Sequence, residues 1–111
     1  MQIKKTYLNV QPGLLYDELK DFIMKQGAAP GETKFDTYSL PTDSSSFITR
    51  GTLSFKSDAG KECLRAHLVG TAVGETKLML DINESLFSPE KIKALIEDID
   101  FIFSSYEVKP K

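Results

Sequence analysis

The chain has 111 residues, 41% of them hydrophobic and 27% charged, and a formal net charge of −2. That length supports one modest core, the charge excludes a nucleic-acid polycation, and the longest apolar runs are far too short to span a bilayer. The single cysteine, Cys63, excludes an internal disulfide and fits a reducing, cytosolic compartment.

The opening MQIKKTYLNV is basic, but no apolar run follows, so it does not read as a signal peptide. Ile3 to Val10 reads as a first strand with Ile3, Tyr7, Leu8 and Val10 as its apolar content, although its alternation is imperfect. Pro12-Gly13 breaks the chain. Leu14 to Gln26 then reads as a helix with Leu15, Leu19, Phe22 and Ile23 on one face and Gly27 as its stop. Ala28 to Glu32 is expected to be a loop, Thr33 to Leu40 a second strand, and Pro41 to Ser46 (PTDSSS) a polar turn or loop.

Phe47 to Lys56 alternates, with Phe47, Leu53 and Phe55 on one face and Ile48, Arg50, Thr52, Ser54 and Lys56 on the other. Gly51 falls on the core face and marks a bulge or a close approach of a helix. After a hairpin turn at Ser57–Lys61, Glu62 to Gly70 puts Leu64, Ala66 and Leu68 inward and Cys63, Arg65, His67 and Val69 outward. A turn at Thr71–Glu75 leads to Thr76–Asn83, with Leu78, Leu80 and Ile82 inward and Lys77, Met79 and Asp81 outward. Ser88 to Tyr106 is the clearest helix. Ser88 is a natural N-cap, and Pro89 suits the first helical position. Ile92, Leu95, Ile96, Ile99, Ile102, Phe103 and Tyr106 form one broad apolar stripe on it.

The order β-α-β-β-β-β-α implies a single α+β domain over residues 1–111. Four strands form a meander, the first strand completes its edge, and the sheet is antiparallel and five-stranded. Both helices pack on one face, giving a two-layer α/β sandwich whose other face meets water. This succession of elements resembles the repeating half of the TATA-binding-protein-like fold group. It is also similar to a minimal helix-grip fold, in which a long C-terminal helix lies across an antiparallel sheet, and to small archaeal two-layer sandwich proteins. The resemblance covers the whole chain as a pattern of elements, without a signature motif. It departs from a TATA-binding protein in having one half and a polar outward face, and from helix-grip ligand binders in being shorter. A shared fold does not carry a function with it, so no site residue is transferred.

The outward sheet face holds Arg50, Lys56, Arg65, His67 and Lys77, with Asp81 as its main acidic exception. Pairing Gly70 with Thr76 sets Arg65 opposite Asp81, His67 opposite Met79 and Val69 opposite Lys77. Glu97, Asp98 and Asp100 fall on the exposed side of the last helix. Such a division of charge suits an anionic ligand or a nucleic-acid backbone on the sheet. Arg would supply forked hydrogen bonds, Lys point charges, and His67 a pH-dependent contribution. The same residues also fit a solvated sheet in which Arg65 pairs with Asp81 across strands.

Other constellations point away from catalysis. Cys63 and His67 lie about 13 Å apart along one strand, too far for a thiolate–imidazole pair. Cys63 is expected to be a surface thiol without a catalytic role, and one His with one Cys does not make a structural zinc site. Gly70–Lys77 (GTAVGETK) has the wrong residue order for a phosphate loop and reads as a hairpin. Asp98 and Asp100 diverge by about 200° around their helix. Asn83-Glu84-Ser85 matches a glycosylation sequon, but no secretion signal accompanies it. Phe101 and Met24 project from the outer sides of their helices. These residues favour a non-enzymatic binding or interaction module with no cofactor and no membrane partner. Its two alternatives are homodimerisation or protein contact through the open sheet or its edge, and an apolar ligand held between sheet and C-terminal helix.

Overall fold

The computed structural model describes residues 1–40, 43–71 and 74–108. Its elements are β1 (Gln2–Leu8), α1 (Pro12–Lys25), β2 (Ala29–Leu40), β3 (Asp43–Lys56), β4 (Glu62–Thr71), β5 (Glu75–Ile82) and α2 (Pro89–Phe103), closed by a 3₁₀ turn at Ser104–Tyr106. The strands form one antiparallel sheet in the order β1-β5-β4-β3-β2. This is the expected meander with the first strand added beside the last. The molecule is a two-layer α+β sandwich.

Local chemistry sets the element ends. Asn9 sits in the left-handed region at φ 63°, a conformation Asn tolerates, and its amide donates to the Gly74 carbonyl at 2.9 Å as the chain leaves β1. Gly27 stops α1 at φ 89°, its amide donating to the Met24 carbonyl. Ser88 caps α2, its Oγ accepting from the Lys91 amide at 3.3 Å.

One face of the sheet is greasy. Leu53, Phe55, Leu64, Ala66, Leu68, Leu78, Leu80 and Ile82 are buried there. Leu15, Leu19, Phe22 and Ile23 of α1 and Ile92, Leu95, Ile99 and Phe103 of α2 bury against them. Each of these Leu, Ile and Phe side chains contributes roughly 1.5–3 kcal/mol by leaving water. Two glycines let α1 come close. A Cβ on Gly70 would collide with Pro12 Cγ, and one on Gly51 would lie 3.0 Å from a ring carbon of Tyr16. The expected close approach at Gly51 is therefore that of α1.

Several expectations change. Ala29–Glu32 of the expected loop join β2, with an irregularity between Pro30 and Thr33, where the Glu32 amide donates to Ser54 Oγ at 2.6 Å. Asp43–Ser46 of the expected loop belong to β3. The remainder of that loop, Pro41 and Thr42, lies outside the described residues, as do Ala72 and Val73 of the next turn. The hairpin of β2 and β3 extends to the pair Leu40–Asp43, with an irregularity between Ser39 and Leu40. Phe47, expected in the core, is 39% exposed because the hairpin reaches past the helix layer. The stripe on α2 is narrower than expected. Ile102, in the last turn of α2, and Tyr106, in the 3₁₀ turn that follows Phe103, are exposed.

The two sheet edges differ. Beyond the 3₁₀ turn, Glu107 bridges to Tyr7, and the Val108 amide donates to the Thr6 carbonyl at 2.7 Å, so β1 is partly covered. Lys5 faces the helix layer and holds this return in place, with Asp100 at 3.3 Å and Glu107 at 3.2 Å. A lysine on the inner face is what blurred the alternation of β1. At the opposite edge, no strand among the described residues covers the far side of β2.

Candidate functional site on the open sheet face

Strand register turns the outward residues into rows. One row crosses the sheet as Lys34, Thr52, His67, Met79 and Lys4; the next as Asp36, Arg50, Val69, Lys77 and Thr6; a third holds Ser54, Arg65, Asp81 and Gln2. Directly opposite side chains in such rows have Cβ atoms about 4.5–5.5 Å apart. The expected pairs of Arg65 with Asp81, His67 with Met79 and Val69 with Lys77 are all present in the ladder.

Position and charge separate the five candidates. Arg65 is half-buried and already neutralised. Glu62 accepts from its Nη2 at 2.6 Å, and Glu32 lies 3.8 Å from its Nη1. These acceptors hold the guanidinium above its ordinary pKa. Asp81, its register partner, instead accepts from Gln2 Nε2 at 3.2 Å. Lys56 stands at the end of β3 beside the turn to β4, away from the centre, with its side chain running past Gly31. Arg50 is exposed between Asp36 and Val69. His67 and Lys77 come together in the middle of the face.

These two border a shallow depression of about 350 Å³ that also involves Lys4, Thr6, Val69 and Met79. Val69 and Met79 supply apolar surface, Thr6 a hydroxyl, and Lys4, Lys77 and His67 hydrogen-bond donors or positive charge. Among the described residues, no Asp or Glu lines it. Glu75 lies 3.7 Å from the Lys77 ammonium at the side. That pair is exposed and therefore weak, leaving Lys77 able to turn to another anion. Lys4 and Thr6 escaped the sequence reading. The signal was the alternation Gln2, Lys4, Thr6, Leu8, hidden by the inward Lys5.

Cys63 is not the expected surface thiol: it is buried, 2% exposed. The pairing steps from Phe55–Leu64 to Lys56–Glu62, so Cys63 is the extra residue of a bulge in β4. A bulge rotates its extra residue out of the alternation, and Cys63 turns to the helix side, where it shares a small polar recess with Ser57, Phe87 and Lys91. Burial raises its thiol pKa, which Lys91 opposes. His67 stays on the open face, so the two are not brought together. Among the described residues, no three His, Cys, Asp or Glu side chains group as metal ligands. Nor is any helix among them long and apolar enough to cross a membrane. Tyr7, Leu80, Leu95, Ile99 and Phe103 fill the interface between sheet and α2. Phe101, as expected, is 90% exposed.

No protein-family model matches this chain, and no curated protein matches it at a significant level.

Proposed function

We propose that the protein is a cytosolic, non-enzymatic binding module whose open sheet face holds a small anionic ligand bearing phosphate or carboxylate. The observation that carries this reading is the depression between β1, β5 and β4, where Lys4, His67 and Lys77 surround Val69, Met79 and Thr6 without a lining carboxylate among the described residues. Its volume of about 350 Å³ suits a small molecule. Val69 and Met79 would contact the apolar part of the ligand, while the cations and Thr6 would orient its oxygens. Arg50 lies one strand away and would extend the site toward β3. Arg65 and Lys56 are assigned no direct part, the first because its charge is satisfied and the second because of its position.

A small ligand is favoured over nucleic acid. The face offers few aromatic rings for base stacking, and acidic Asp36, Glu75 and Asp81 interrupt its cations. The TATA-binding-protein-like order of elements supports the architecture alone.

The test is titration of isotope-labelled protein with inorganic pyrophosphate, a sugar phosphate and a single-stranded oligonucleotide, followed through amide chemical shifts. Saturable shifts at Thr6, His67, Val69 and Lys77 are expected with a small phosphate compound. The affinity should fall about tenfold as ionic strength rises from about 0.01 to 0.15 M, where the screening length drops from about 30 to 8 Å. Lys77→Glu should weaken binding about tenfold. If all three probes leave these amides unmoved at low salt, the reading fails.

A further inference from the structure

We propose that two copies of this chain pair edge to edge through β2, antiparallel, with Phe35 facing its symmetry mate across a twofold axis. The two edges of the sheet are treated differently. That of β1 is covered at its C-terminal end, where Glu107 and Val108 meet Tyr7 and Thr6, and this return is fastened by Lys5. That of β2 carries no covering strand among the described residues, although β2 is 12 residues long. An unpaired edge presents a row of amides and carbonyls that another strand can complete.

The pattern of charge on β2 selects the occupant. Its outward side chains read Glu32, Lys34, Asp36 and Tyr38. In an antiparallel pair of identical strands related by an axis normal to the sheet, directly opposite residues must share a face. The two sequence numbers then have a fixed, even sum. Centring on Lys34 sets Lys34 against Lys34 and Glu32 against Asp36. Centring on Asp36 sets Asp36 against Asp36. Centring on Thr33 pairs Glu32 with Lys34 but puts the irregular Pro30–Thr33 stretch at the axis, and centring on Thr37 leaves Asp36 opposite Tyr38 without a cation. Centring on Phe35 sets Lys34 against Asp36 twice and Glu32 against Tyr38 twice, with no like charges opposed on regular strand.

The other face agrees with that register. Phe35 is 41% exposed, and its ring is met edge-on by Tyr16 of α1 at 4.9 Å between centroids. Across the axis it would gain a second ring, flanked by Thr33 opposite Thr37. Tyr38, 55% exposed, would be covered by the facing strand. The product is a continuous ten-stranded sheet, twice the five strands of one copy, with both candidate ligand faces on one side. The occupant is a second copy because the edge complements itself; a strand from another protein would have no need of that symmetry.

Sedimentation of the unmodified protein over a roughly hundredfold range of concentration should show its mean mass rising toward twice the monomer value. Lys34→Glu and Asp36→Lys should each weaken self-association at least about tenfold, since each sets like charges opposite one another. An equimolar mixture of the two variants should associate again. The introduced carboxylate of one copy then faces the introduced ammonium of the other, while the native Asp36 of the first meets the native Lys34 of the second. Phe35→Cys should cross-link to itself on oxidation. Thr33→Cys, about 13 Å along the strand from its own mate in this register, should cross-link only to Thr37→Cys. A monomer at every concentration would overturn the proposal and leave the edge to a different partner. Folded charge variants that do not associate when mixed would overturn it too. If a charge variant does not fold, the cysteine series decides, and self-linking of Thr33→Cys refutes the register.

Discussion

Tyr7 carries its hydroxyl into the core, fully buried and without a hydrogen-bond partner among the described residues, beside the ring of Phe103. A buried unsatisfied hydroxyl costs free energy, so Tyr7→Phe is expected to leave stability unchanged or raise it by up to about 1 kcal/mol in urea denaturation. Burial, reinforced by Glu107 and Asp100, also raises the phenol's pKa above its ordinary value. The folded state therefore keeps this proton where the unfolded chain loses it. Its contribution is fully present below about pH 10 and declines as pH rises further, by up to about 1.4 kcal/mol per pH unit. The difference in stability between wild type and Tyr7→Phe should be flat below about pH 10 and shift in favour of the variant above it. A difference that ignores alkaline pH would contradict this account. Lys5 is the opposite case, a part-buried cation with two carboxylates. Lys5→Met should cost about 1–2 kcal/mol, because Glu107 is left part-buried without its partner.

At the scale of the element, α1 is seated by what Gly70 lacks. Gly70→Ala would press a methyl group into Pro12, and overpacking of this kind costs about 1–3 kcal/mol. Ser88→Ala removes the cap of α2 and should cost about 1 kcal/mol. Equilibrium denaturation checks both, and the glycine change should be the larger. These elements were legible in the sequence wherever one face meets the core. Leu64, Leu68, Leu78 and Leu80 alternate cleanly because the partner face is continuous, and that pattern alone gave the outward positions of Arg65, His67 and Lys77. Legibility failed where pairing departs from strict alternation. The bulge at Cys63 reversed that residue's side, and the inward Lys5 concealed Lys4 and Thr6, so the β1 side of the candidate depression went unseen. The start of β3 is illegible because Ser44, Ser45 and Ser46 leave no apolar period to read in the sequence. Nor could periodicity reveal that Arg65 is satisfied by Glu62 and Glu32, which lie outside its row.

Across the whole molecule, order should be graded from the helix-covered centre to the projecting hairpin. Amide exchange is expected to be slowest in β4 and β5, whose inner side chains are buried in the core shared with the helices, and fastest among Ser39, Phe47 and Ile48. Protection of Ser39 equal to that of Leu80 in dilute protein would refute the gradient. The bulge in β4 has one more consequence. By swinging the chain's sole thiol to the seam between sheet and α2, it makes an alkylating reagent a stopwatch for the parting of the two layers. The native protein should react at least about a hundredfold more slowly than the denatured chain, and each increment of urea that loosens the seam should quicken the reaction without any label having been introduced.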